Sequence, residues 1–221
     1  MSLATMLRAL KRGSDSEEKA LHADRHGNLY VSKGMPDYAD LVRQNKVWTL
    51  GQATATAAVI GSTYPTTACQ LLMYNNESEG SGKSYMIITV GAVQIGAGAA
   101  LAAWNIIYGV TQIKQTTLPT GDITIASARP MRGNGGAYPG RALFDLAPTL
   151  DVDPLYKPLP VHTGHASNPV NSLAGPALSF PINGLIILPP SSGLALHVVA
   201  ADVGVTTRLN VVWAEEYLDL P

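Results

Sequence analysis

The chain has 221 residues, of which 46% are hydrophobic and only 14% charged, with a net charge of −1. That is enough apolar material for one large β domain or a smaller domain with an arm, and the near-zero charge provides no global field to draw nucleic acid or an anionic membrane. The single cysteine, Cys69, excludes an internal disulfide framework.

The opening residues 1–20 lack a long apolar segment after their basic residues, so they are not read as a secretion signal, and assembly in a reducing cytosol is expected. Charge is uneven along the chain. Residues 1–46 hold 8 Lys or Arg and 6 Asp or Glu, while the other 175 residues share 17 charged side chains. This shift sets a boundary near Val47. Ahead of it, the pattern predicts a short helix over residues 3–11, a polar linker around residues 13–18, and an extended arm with a short strand at Asn28, Leu29, Tyr30 and Val31. Such a segment buries little surface alone and is expected to order against another molecule. Leu3, Leu7, Arg8, Lys11, Leu29 and Tyr30 are its expected docking residues. Arg8, Lys11 and Arg12 form a basic cluster, but Asp15, Glu17 and Glu18 follow at once, which favours a solvated helix face over a nucleic-acid contact.

From Val47 onward the grammar is β. A strand-like run over residues 54–60 ends at Gly61-Ser62. Residues 69–74 and 85–90 read as the two arms of a hairpin, with the polar stretch 75–83 as its exposed tip. Residues 84–113 carry no charge and are long enough to cross a bilayer. Gln94, Asn105, Thr89 and the glycines make them weakly hydrophobic, so two strands broken at Gly96-Ala97-Gly98 are expected instead of a membrane helix. The second of these, residues 101–110, sets Trp104, Ile106 and Tyr108 in phase.

Residues 114–181 are dense in proline, which removes ladder donors and fixes φ, so long strands are not expected there. A short strand at residues 122–126 and an insertion of surface loops around residues 127–181 are expected. The end of the chain is clearest. Strands at residues 184–188, 194–199 and 206–217 are separated by the turns Pro189-Pro190-Ser191-Ser192-Gly193 and Ala201-Asp202-Val203-Gly204. Leu209, Val211 and Trp213 share one face of the last strand. Short strands and turn signals at this spacing predict an all-β antiparallel sandwich over residues 47–221. Trp104, Tyr108, Leu196, Val198, Val211 and Trp213 are expected in its core or at an oligomer interface.

No motif supplies catalytic chemistry. Glu79-Gly80-Ser81-Gly82-Lys83-Ser84 resembles the end of a phosphate-binding loop, but Glu77 stands where the first glycine is needed and no helix is expected to follow. The paired histidines are His22 with His26 and His162 with His165; the latter pair sits in a proline-rich loop with no nearby acid and is read as exposed loop histidines. Cys69 lies in an apolar strand and is expected to be a buried, inert thiol. Glu215 and Glu216 are strand neighbours that point to opposite faces, so they are expected to end the strand in solvent or to pair with arginine. Arg129, Arg132 and Arg141 flank a Gly-rich loop that is either a contact surface or simply flexible. No cofactor is expected.

Two stretches resemble bacteriophage virion jelly-roll proteins with a tumour-necrosis-factor-like sandwich. One is Gly184-Leu185-Ile186-Ile187-Leu188-Pro189-Pro190-Ser191-Ser192-Gly193-Leu194-Ala195-Leu196, with Leu209-Asn210-Val211-Val212-Trp213-Ala214-Glu215 after it. The other is Asp24-Arg25-His26-Gly27-Asn28-Leu29-Tyr30-Val31, similar to the polar openings of phage particle proteins. The resemblance covers roughly a quarter of the chain. It implies a jelly roll, a homotrimer, and a non-enzymatic structural protein of the virion, assembled in the host cytoplasm. The role implied is a capsid decoration or minor capsid protein whose partners are its own copies and the major capsid protein or other virion proteins, with neither nucleic acid nor membrane. Alternatively, the loops at 75–83 and 129–168, with Tyr138, Phe144 and Tyr156, would form the receptor- or glycan-binding tip of a tail- or fibre-associated module. A depolymerase would have to draw on Asp151, Asp153 or His162.

Overall fold

The computed structural model describes residues 38–60, 64–96, 103–111, 128–159, 165–166, 177–201 and 204–217. The compact unit that holds them starts at Tyr38, ahead of the charge shift near Val47. Of the arm expected over residues 1–46, residues 1–37, with Leu3, Leu7, Arg8, Lys11, Leu29 and Tyr30, lie outside the described residues, as does the strand expected at 122–126.

In chain order the elements are α1 (Ala39–Arg43), β1 (Val47–Gly51), β2 (Thr56–Ala57), β3 (Val59–Ile60), β4 (Leu71–Asn75), β5 (Lys83–Gly96), β6 (Ala103–Thr111), β7 (Arg129–Pro130), β8 (Ala142–Leu146), β9 (Lys157–Pro158), β10 (His165–Ala166), β11 (Ala177–Leu188), β12 (Gly193–Ala200) and β13 (Thr206–Tyr217). They form an all-β sandwich. One sheet has the order β11-β5-β13-β1-β7, with β2 beside β13. The other has the order β10-β6-β12-β4-β8, with β3 beside β12 and β9 beside β6. Pairing is antiparallel except between β3 and β12. The uncharged stretch expected as two strands is β5 and β6, and among the described residues no helix is long and apolar enough to cross a membrane.

The long strands do not pair with their neighbours in sequence. β4, β6 and β12 belong to the second sheet, and β5, β11 and β13 to the first. The hairpin expected from residues 69–90 is therefore absent, and the segment between β4 and β5 is a corner that crosses from one sheet to the other. Alternation reports which face of a strand is apolar but not which strand it pairs with. A connection of this length spans the gap of about 10 Å between stacked sheets. Gly80 and Gly82, at φ 82° and 69°, supply the left-handed backbone this corner needs.

Inward residues from both sheets fill the seam: Leu209, Val211 and Trp213 of β13 face Trp104 and Ile106 of β6 and Leu194, Leu196 and Val198 of β12 within one cluster. Trp104, Leu196, Val198, Val211 and Trp213 are buried there, and Tyr108 packs half-buried against them. On β5 the inward set changes from Tyr85 and Ile87 to Val90 and Ala92. The register explains it: Val212 pairs with Thr89 and Trp213 with Ile87, so Ile88 is passed over as a bulge.

Two further layers cover the outer faces. α1 lays Tyr38, Leu41 and Val42 on Val47, Ile88 and Ala214 of the first sheet. On the second sheet Leu150 and Tyr156 cover Cys69, Leu72, Ile107 and Ala195. Pro154 lies so close over Gly109 that a Cβ there would sit 2.5 Å from the proline ring. The proline-rich stretch is thus partly a strap that buries a second apolar layer, beyond the surface excursion expected of it. β11 also starts earlier than expected, at Ala177, and contains Pro181. Among the described residues it is an edge strand, paired with β5 alone, the kind of strand in which proline is tolerated.

His197 faces the strap, buried, with its ring edge-on to Tyr156. Burial lowers its pKa below the ordinary histidine value, only partly opposed by a hydrogen bond to the Val198 carbonyl. A depressed native pKa means that the unfolded chain takes up a proton first as pH falls. His197 therefore contributes stability above about pH 6.5 that is lost as pH drops through the native pKa. Urea midpoints for wild type and His197→Leu should diverge between pH 7.5 and 5, the wild type losing more; parallel pH profiles would contradict this. Val211→Asp, which buries an unpaired carboxylate in the seam, should destabilise the fold by about 4 kcal/mol, and an unchanged urea midpoint would refute the placement.

Candidate functional site

The corner between β4 and β5, the turn between β11 and β12, the loop before β8 and the end of β13 meet at one end of the sandwich, and the polar residues gather there. Lys83 is central. Its Nζ lies 3.0 Å from Glu77 Oε1 and 2.7 Å from Glu215 Oε2. Tyr85 donates to the same Glu77 oxygen at 3.3 Å, and Tyr138 donates to Glu215 Oε1. The group is largely withdrawn from solvent, with side chains 17% exposed at Lys83, 12% at Glu77 and 6% at Glu215.

Burial opposes the Lys83 ammonium, but its bonds to Glu215 and Glu77 outweigh that and hold its pKa above the usual lysine range. Burial also pushes the Tyr85 and Tyr138 hydroxyls upward, so both stay protonated and donate. Every member thus has a charged or hydrogen-bonded partner, which is what makes a buried ionic group tolerable. Glu216 points the other way and holds Lys46 at 3.0 Å on the outer face. The two glutamates do take opposite faces, as strand geometry requires, but both pair with lysine. The expected ending in solvent or at an arginine is not what forms.

Outside this cluster lies an open depression of about 300 Å³, lined by Asn76, Glu77, Ser78, Glu79, Arg141 and Ser191, with Tyr74 beside them. Ser191 Oγ donates to Glu79 Oε1 at 3.1 Å. Ser191 has a left-handed φ of 64° in the turn after Pro189-Pro190.

The other candidates are dispersed. Arg132 donates to the Arg43 carbonyl at 3.0 Å, and Arg129 lies in β7. Of the three arginines only Arg141 reaches the depression. Phe144 and Tyr156 are buried and Tyr138 is half-buried, so they do not form an exposed aromatic tip. Asp153 accepts the Leu155 N–H at 2.8 Å within the strap, and Asp151 precedes it there. His162 lies outside the described residues, and only the backbone of His165 is described, as part of β10. Cys69 is buried, and desolvation pushes its thiol up to about 12, so it carries no thiolate at neutral pH. Among the described residues no group of three or more His, Cys, Asp or Glu is placed to hold a metal ion.

The residues that sequence reasoning missed are Glu77, Glu79 and Lys83 as site residues. The only signal was their density in one polar stretch between apolar strands. Lys83→Met would leave Glu215 buried without its cation and should cost about 2–3 kcal/mol in urea denaturation, with part of the loss recovered when Glu215→Gln is added. Strictly additive losses in the double variant would dismiss the coupling. No family model matches the chain, no curated protein matches it, and no solved structure matches it.

Proposed function

We propose that this sandwich is a jelly roll and that the chain is a non-enzymatic structural protein of a bacteriophage particle, a homotrimer that decorates or reinforces the capsid. The strand order carries the reading. In a jelly roll, eight strands alternate between two sheets, paired first-eighth-third-sixth and second-seventh-fourth-fifth. Taking β1, β4, β5, β6, β10, β11, β12 and β13 as the eight, the orders β1-β13-β5-β11 and β4-β12-β6-β10 follow that rule. β7 and β8 add to the outer edges of β1 and β4. This architecture is frequent in viral capsid proteins, an analogy of fold that weighs as a prior only.

Self-association has its own support. Beyond α1, the outer face of the first sheet sets Ser179, Gly91, Asn210 and Gly51 in one row across four strands. The next row is Pro181, Thr89, Val212 and Thr49. Across these four strands neither row holds a charge; the second meets one only at the sheet edge, where Arg129 of β7 pairs with Thr49. The Asn210 side chain lies over Gly91 so closely that a Cβ there would be 1.9 Å from its Oδ1. A face uncharged at its centre suits burial against a sister copy. In this reading the arm within residues 1–46 docks on the major capsid protein or another virion protein, and repetition around the trimer multiplies each weak contact.

Light scattering on the eluting full chain should give about three times the chain mass of 23.3 kDa. Asn210→Glu, on the exposed face, should shift the trimer toward monomer with little change in melting temperature. A wild-type chain that stays monomeric at high micromolar concentration would sink the proposal.

A further inference from the structure

The depression at the polar end contains groups whose hydrogen-bonding capacity the fold leaves open. Arg141 is exposed, and among the described residues its guanidinium meets no acceptor. Glu79 is exposed and engages its Oε1 with Ser191. Asn76 and Ser78 stand beside them with an amide and a hydroxyl. Glu77 differs: Lys83 and Tyr85 both donate to its Oε1, so it forms a fixed wall.

Charge narrows the ligand. An anion would face Glu77 and Glu79, and a cation would face Arg141. A neutral ligand rich in paired donors and acceptors meets neither penalty. Adjacent hydroxyls of a sugar have that chemistry: a guanidinium fork spans two neighbouring oxygens, and a carboxylate oxygen accepts a hydroxyl proton. About 300 Å³ is at the small end for ligand sites, fitting a terminal sugar better than an extended chain. An exposed aromatic ring sits at the end of β13, next in the ladder to the ionic cluster. Tyr217 is 73% exposed and pairs in register with Lys83, the lysine that holds Glu77. A ring with one apolar face free is the usual partner for the C–H face of a sugar.

We propose that this depression binds the terminal residue of a neutral saccharide, with Arg141 and Glu79 as its polar anchors and Tyr217 as its stacking surface. The site lies within one chain, so it does not depend on the trimer.

The test uses the full chain on an array of neutral glycans ending in glucose, galactose or N-acetylglucosamine, with sialylated and sulfated glycans as the anionic arm. The strongest neutral glycan is then titrated by calorimetry. Binding to neutral ends is expected, weakened about tenfold or more by Arg141→Ala and by Glu79→Gln, and several-fold by Tyr217→Ala. Because these side chains are at the surface, melting temperatures should not move. Should Arg141→Ala lower the melting temperature, Arg141→Lys decides, since it keeps the charge and loses the fork: weaker binding at wild-type stability supports the site, and unchanged binding overturns it. A silent array, a preference for anionic glycans, or wild-type titrations in both Arg141→Ala and Glu79→Gln would also overturn it.

Discussion

Tyr138 ties the apolar seam to the polar end. Its ring lies edge-on to Trp48 at 4.9 Å and to Trp213 at 5.7 Å, and Trp213 in turn meets Phe144 at 5.2 Å. The hydroxyl of the same tyrosine donates to Glu215 and accepts the Ala142 N–H at 3.3 Å. One side chain thus fills the seam between β1, β8 and β13 and satisfies a buried carboxylate. Glu215 belongs to the strand that supplies Leu209, Val211 and Trp213, so the register that buries the core also delivers a charge to the end of the sandwich. That charge is tolerable only because Lys83 and Tyr138 arrive from other segments. Gly140 accommodates the meeting: a Cβ there would lie 2.3 Å from the Tyr138 hydroxyl and 2.4 Å from Glu215 Oε1.

The opposite end is closed by neutral groups. Gln70 Nε2 donates to the Thr207 hydroxyl at 3.0 Å, to its carbonyl at 3.2 Å and to Gln52 Oε1 at 3.3 Å. Gln52 returns a bond to the Gln70 carbonyl at 3.0 Å and accepts the Leu209 N–H at 2.8 Å. Amides suit this place because they both donate and accept without the desolvation cost of a charge. One end of the sandwich is locked by amides and the other by ions, and the ionic end opens into a depression lined by polar side chains.

Strand faces were legible in the sequence; strand partners were not. Leu209, Val211 and Trp213 alternate cleanly because one side of that stretch of β13 meets the seam, while on β6 Trp104 and Ile106 enter the seam and Ile107 lies under the strap. Where both sides are covered the alternation vanishes. All five residues of β4 are buried, since Leu71 and Met73 enter the seam while Leu72 lies under the strap. A continuous apolar run of this kind gives no hint of its neighbour, and proximity in sequence suggested β5 when the partners are β12 and β8. The strap was hidden for a related reason, because its prolines read as surface punctuation while Leu150 and Tyr156 do the covering. The polar end was least legible. Glu77 with Lys83, Tyr138 and Glu215 come from three separate parts of the chain, and the folded corners bring them together.

The two outer faces of the sandwich are treated differently, and that asymmetry bears on association. The second sheet covers its apolar outer residues with its own chain, through Leu150, Tyr156 and Pro154. Among the described residues, the first sheet covers Val47, Ile88 and Ala214 with the short helix α1. The rest of that face is neither apolar enough to require burial nor charged enough to repel a neighbour. An exposed Arg208 follows the last uncharged row on β13, and the Lys46–Glu216 pair lies at the other end beside α1. A surface that is neutral at its centre and charged at its margins has the anatomy of a contact whose rim remains wet. On the proposed reading, copies meet through this face, which leaves the ionic end free to meet something else.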